Sequence, residues 1–153
     1  MKRVLPIAVL VAFSVPAFAA QTTGTLNVEA TVLNTCAVAT SPVVFLNVGL
    51  ASVQANGSVT VTCTNSGSFT VELDGGGSAD IANRTLSHTT LSGSFNYQLY
   101  LDSGRTTVWG DGVTGSTQSG TGPSDTLIVY GETTSTPILA GSYADTVQVT
   151  VTY

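Results

Sequence analysis

Apolar and polar residues alternate one by one along this chain, in run after run. Val147, Val149, Val151 and Tyr153 are interleaved with Thr146, Gln148, Thr150 and Thr152, and Phe95, Tyr97, Leu99 and Leu101 with Asn96, Gln98 and Tyr100. A period of two places each set on one face of a strand, whereas a helix would scatter both around its circumference. Clusters of Gly, Asn and Ser separate the runs, and no stretch carries a sustained helical period with caps. The chain therefore reads as all-β. Further strands are expected at "TLNVEATVLNTC", "PVVFLNVG", "GSVTVTCT" and "SFTVELD", the last two with Val59, Val61 and Cys63, and Phe69, Val71 and Leu73, on their inner faces. "RTLS" is expected as a short edge strand, "SFNYQLYLD" as a central one, and "TLIVYGE" as another. "LDGGGSAD" and "WGDGVTGSTQSGTGPSD" are expected as loops, the second because its glycines and Pro123 oppose regular structure. Pro137 and Gly141 mark a bend into the last run. Short strands at this spacing suggest an immunoglobulin-like sandwich of two sheets.

Lys2 and Arg3 precede an apolar run that closes on Ala17, Phe18 and Ala19, the arrangement of a secretory signal peptide with cleavage after Ala19. Pro6 and Pro16 interrupt that run, and no later stretch is long enough to span a bilayer, so the mature product is expected to be soluble or exported. About 134 residues remain, enough for one domain with its own core. The remainder carries Arg84 and Arg105 against nine carboxylates, net −7, with no lysine. That excludes a basic footprint for nucleic acid or anionic lipid. Charged residues make up only 8% of the chain, its polar positions being filled by hydroxyls and amides, as in secreted β-proteins. Cys36 and Cys63, the only cysteines, enter an oxidising compartment, where disulfides are the expected state.

An intact sandwich closes on a strand that pairs beside its neighbour. Here nothing follows the last alternating run, while one run too many stands at the beginning. Two arrangements answer this inventory. The leading strand folds back into its own sheet, or the fold lacks its closing strand and the leading strand of another copy fills the groove, which is donor-strand complementation. The second arrangement gives an otherwise aggregation-prone edge its cover. Because the strand of one copy enters the groove of the next, the contact is head-to-tail and generates a fibre.

Three features occur in order behind the signal peptide: Cys36 and Cys63 with "VTVTCT", "YQLYLD" followed by "WGDG", and "AGSYADTVQVTVTY" ending on an aromatic residue. On these the chain resembles the spore coat protein U domain family, the pilin-type subunits of archaic (Csu-type) chaperone-usher pili. The resemblance implies an incomplete immunoglobulin-like β-sandwich completed by a donor strand from a neighbouring subunit. It implies Cys36 and Cys63 as a disulfide and residues 22–33 as the donor segment, with Leu26, Val28, Ala30 and Val32 facing the core. It also implies Val147, Val149, Val151 and Tyr153 as one wall of the acceptor groove. The organisation expected is a signal peptide at 1–19, a donor segment at 20–34 and a pilin domain at 35–153. The implied partners are further copies of the chain, a periplasmic chaperone and an outer-membrane usher, and the implied destination is the cell surface by way of the periplasm. The family often has a Phe-Gly pair after the first cysteine, whereas Phe45 here stands apart from Gly49.

No residue set supports an enzyme. His88 is the only histidine and no G-x-S-x-G occurs, so a serine triad has no elbow to sit on. The carboxylates are scattered; Asp102 with Asp111, or Asp80 with Glu72, is not singled out as a glycosidase pair, and Asp102, Asp111, Asp125 and Asp145 fall where Asp bonds nearby backbone amides. Neither a calcium-loop spacing nor a zinc ligand set is present, and no cofactor motif is found. Trp109 is expected as a packed indole at the edge of the sandwich, the alternative being a sugar-stacking platform. The functional expectation is a structural pilus subunit serving adhesion, biofilm formation or surface coating. The rivals are a tip adhesin or carbohydrate-binding module using Trp109 and residues 110–125, and a secreted coat protein that forms no fibre.

Overall fold

The computed structural model describes residues 19–153. The expected signal peptide at 1–19 falls, but for Ala19, outside the described residues. Among those described, no helix is long and apolar enough to cross a membrane. The chain divides between Thr31 and Val32 into two units. In the first, residues 19–31 form no strand, and Leu26 and Val28 are 88% and 84% exposed.

The second unit is built of nine strands in two sheets. Strands β1 (Cys36–Ser41), β2 (Gln54–Cys63), β7 (Ser124–Thr133), β5 (Ser94–Tyr100), β4 (Thr85–His88) and β8 (Tyr143–Ala144) lie side by side in that order. Strands β6 (Gln118–Thr121), β3 (Ser68–Leu73) and β9 (Val149–Thr152) form the second sheet, and every ladder is antiparallel. The alternation in the sequence becomes the core: Val59 and Val61 of β2, Phe69, Val71 and Leu73 of β3, Tyr97 and Leu99 of β5, and Leu127 and Val129 of β7 are all buried. Each such side chain contributes on the order of 1.5–3 kcal/mol by leaving water. Cys36 and Cys63 face each other at the start of the β1–β2 ladder and form a disulfide.

Five expectations are corrected. The run at 42–49 has no ladder partner: Pro42 lacks an N–H, Asn47 takes a positive φ of 57°, and the segment crosses the sheet over two glycines. A Cβ on Gly131 would lie 2.6 Å from Val43 and 2.9 Å from Phe45, so the missing side chain is the space that segment occupies. The loop at 109–125 contains β6, because Gly120 leaves room for the Phe69 ring against the opposing strand, and β7 begins directly after Pro123. The final run is two strands in different sheets, β8 beside β4 and β9 beside β3, since Asp145 turns the chain by bonding the Thr146 and Gly77 amides. Gln98, placed outward by its alternation, is buried, and "RTLS" lies between β5 and β8 rather than at the edge.

Gln98 is held inside by Arg84, which is itself fully buried. The guanidinium donates to the Gln98 Oε1 and to the carbonyls of Asp74 (2.8 Å), Leu73 (3.2 Å) and Trp109 (2.8 Å). One side chain thereby ties the end of β3, the middle of β5 and the strand-like segment at Trp109. Burial lowers the pKa of Arg84, and the neighbouring Tyr97, Asp74 and Asp145 oppose that shift.

Removing this donor takes a partner from four acceptors in and beside the core, of which the Gln98 Oε1 keeps the Leu99 amide. Arg84→Ala is expected to destabilise the domain by about 3 kcal/mol or more, measured by urea unfolding, with Arg84→Lys recovering only part because an ammonium does not reproduce the planar fork. Breaking the disulfide closes no loop in the unfolded chain, so Cys36→Ala with Cys63→Ala should lower stability by about 3.5 kcal/mol on the chain-entropy model, a difference that reductant reproduces in the parent protein.

Candidate functional site

Where the two sheets should meet along β1 and β9, they leave a seam. One wall is the extended segment at 42–46, in which Val43 and Phe45 point inward and Val44 and Leu46 outward. The other is the stretch from Asp145 into β9, where Val147, Val149 and Val151 are half-buried against the core. Val59, Leu73, Leu86, Tyr97, Leu99 and Val129 form the floor. The seam holds a recess of about 300 Å³ over this floor and one of about 640 Å³ at its far end, where Phe95, Leu139 and Tyr143 join the lining. The two recesses share Val43, Phe45, Leu86 and Asp145.

The backbone on both sides lacks partners. Among the described residues, none of residues 42–52 makes a hydrogen bond, and β9 is laddered to β3 alone. A row of free N–H and C=O groups above an apolar floor is the template that another strand pairs with. Of the residues expected at the acceptor wall, Val147 and Val149 line the smaller recess, Val151 lies further along the same strand against the core, and Tyr153 is 56% exposed. The opposite wall at 42–46 was missed in the sequence; Pro42 followed by alternating Val43 and Phe45, with Gly57 and Gly131 beneath, is the signal that marks it.

A polar pair sits within the seam. The Tyr97 hydroxyl donates to the Asp145 Oδ2 at 2.6 Å, and the Asp145 Oδ1 accepts the Gly77 and Thr146 amides at 2.8 Å each. Burial, reinforced by the hydrogen bond to Asp145, raises the Tyr97 pKa far above its ordinary value, so the phenol stays a donor. Asp145 thus fixes the crossover from β8 to β9 and with it the position of the β9 wall.

Other singled-out residues have local structural roles. Trp109 is completely buried, and its indole N–H donates to the Val71 carbonyl at 3.0 Å, so it offers no face for sugar stacking. His88 at the end of β4 accepts the Thr90 and Leu91 amides on Nδ1, which leaves Nε2 as the donor to the Ala140 carbonyl. Asp102, Asp111 and Asp125 bond amides of their own turns, and Asp80 caps the short 3-10 turn Ile81–Asn83. Among the described residues, no group of three or more His, Cys, Asp or Glu side chains is placed to hold a metal ion.

The sequence matches the Spore Coat Protein U domain over residues 22–150. No curated protein matches the chain. Its structure is similar to one in the crystal structure of the CsuC-CsuE chaperone-tip adhesion subunit pre-assembly complex from archaic chaperone-usher Csu pili of Acinetobacter baumannii. The TM-score is 0.57 at 25% identity, covering 80% of this chain and 41% of that one, so this chain spans about two fifths of its relative's length.

Hydrogen bonds lower the pKa of three exposed carboxylates. Asp102, by the Thr107 amide above all, Asp111, by the Thr114 amide, and Asp80, by the Asn83 side chain, are held below the ordinary 3.8. A lowered folded-state pKa gives a contribution that is complete above the unfolded value and is lost as pH falls through the folded one. The urea midpoint is therefore expected to decline as pH drops from about 5 towards 2, and Asp102→Asn to flatten that decline.

Proposed function

The chain belongs to the spore coat protein U domain family, and from that membership and the open seam we propose that it is a structural subunit of a fibre assembled by an archaic chaperone-usher pathway. In this reading residues 22–33 of one copy lie in the seam of the next, with Leu26, Val28, Ala30 and Val32 over the floor and Val147, Val149, Val151 and Tyr153 beside them. The single observation that carries it is the coincidence of an unpaired backbone edge, an apolar recess and, in the same chain, an exposed alternating segment with no ladder of its own. Each element lacks what another supplies.

Burying Leu26, Val28 and Val32 would contribute about 1.5–3 kcal/mol each, Ala30 less, and pairing of both free edges adds to that. The contact is heterologous and does not close on itself, so the product is a fibre. Before assembly, a periplasmic chaperone lends a strand to the seam, and an outer-membrane usher exchanges it for the next copy's segment; the complex in which the similar structure was solved contains a chaperone. The mature fibre would stand at the cell surface, serving adhesion, biofilm formation or surface coating. The mechanism is assembly without turnover.

Deleting residues 20–33 should leave a chain that still reaches the periplasm bound to its chaperone and no longer polymerises. Negative-stain microscopy and the heat-sensitive ladder on denaturing gels read this out, and fibres made from the deleted chain alone would refute the reading. Val149→Asp, placing a charge on the β9 wall of the seam, should suppress polymerisation as strongly while leaving the donor segment intact.

A further inference from the structure

We propose that Leu33 of one copy seats against the exposed apolar residues Val44, Ile138 and Leu139 of the next, so that consecutive copies touch body to body as well as through the inserted strand. This rests on the function proposed above.

Leu33 is out of phase with the segment before it. If Leu26, Val28, Ala30 and Val32 face the floor of the neighbour's seam, period-two geometry turns Leu33 outward. It is 72% exposed, a large apolar side chain with no cover. Its carbonyl accepts the Thr64 hydroxyl at 2.8 Å, the Thr35 amide donates to that same hydroxyl at 3.0 Å, and the Thr64 amide donates to the Thr35 carbonyl at 2.9 Å. Next to these bonds stands the Cys36–Cys63 disulfide. The segment therefore leaves the body at Leu33 without slack. Cys36 is three positions along the chain from Leu33, a reach of about 10 Å even when fully extended, so the body of the donating copy must lie against the end of the accepting one.

The structure also indicates which end. Every ladder is antiparallel, and a strand added to the free edge of β9 in the same sense runs opposite to β9. Its last residues then lie beside the start of that strand, near Asp145 and Val147, where the 640 Å³ recess opens. Val44 and Leu139 line this recess and are 53% and 38% exposed, and Ile138, adjacent in the chain, is 79% exposed. Uncovered apolar side chains thus stand on both surfaces that the short tether brings together.

The test uses fibres of the full chain produced with its secretion partners. Leu33→Ser and Leu139→Ser are each expected to assemble and to lose subunits in hot detergent on the order of tenfold faster than the parent, with the double variant no faster than either single one. Independently, Leu33→Cys with Ile138→Cys should give an oxidised ladder that resists boiling, whereas Leu33→Cys with Val113→Cys, on a different loop, should not. Fibres of both serine variants that dissociate at the parental rate, or a cysteine pair that never cross-links, would overturn the contact while leaving strand insertion standing. If a serine variant makes no fibres, the cysteine pair decides. Absence of fibres from the parent chain would instead overturn the function itself, and this contact with it.

Discussion

The structure depends on a backbone edge that has no partner among the described residues. Main-chain N–H and C=O groups beside an apolar recess are costly to leave unpaired and are easily satisfied by one more strand. Here such groups face one another across the seam, from residues 42–46 on one side and from β9 on the other. The remainder of the domain holds these two walls apart. Pro42 and the crossing over Gly57 and Gly131 carry the first wall off its sheet, and the amide bonds to Asp145 carry the second from β8 to β9.

An open seam requires rigidity elsewhere, since a loose sandwich would collapse into it. That rigidity is polar as well as apolar. Arg84 joins β3, β5 and the segment at Trp109 through acceptors that carry no charge, and the Trp109 indole returns to Val71. Directional bonds in a low-dielectric interior fix the spacing between the sheets more tightly than side-chain packing alone does. The disulfide pins the beginning of β1 at the point where the exposed segment joins the domain. In the proposed fibre, the same anchorage transmits force from one copy to the next.

Much of the fold was legible because alternation maps directly onto faces. β2, β3, β5 and β7 appear where period-two runs predict them, and Val59, Val61, Phe69, Val71, Tyr97 and Leu99 are buried as their positions require. Three of the differences share one cause. Period two reports that a segment is extended and has an inner face, and it is silent on whether the backbone has a neighbour. Residues 42–46 alternate correctly and pair with nothing among the described residues, residues 142–153 alternate correctly and serve two sheets, and Gln98 alternates outward into a covered face where a buried arginine waits. Of the recess lining, Val147 and Val149 carry the alternation of the final run and were legible, whereas the opposite wall was not, because it depends on glycines distant in sequence.

By itself the sequence determined that this chain is all-β and that its core comes from alternating faces. Those properties follow from local residue chemistry and a period that any extended segment must obey. Only the tertiary structure decided where the sandwich stays open. That outcome is set by which edges find partners, and pairing depends on contacts between residues such as Val43 and Gly131 that lie far apart along the chain.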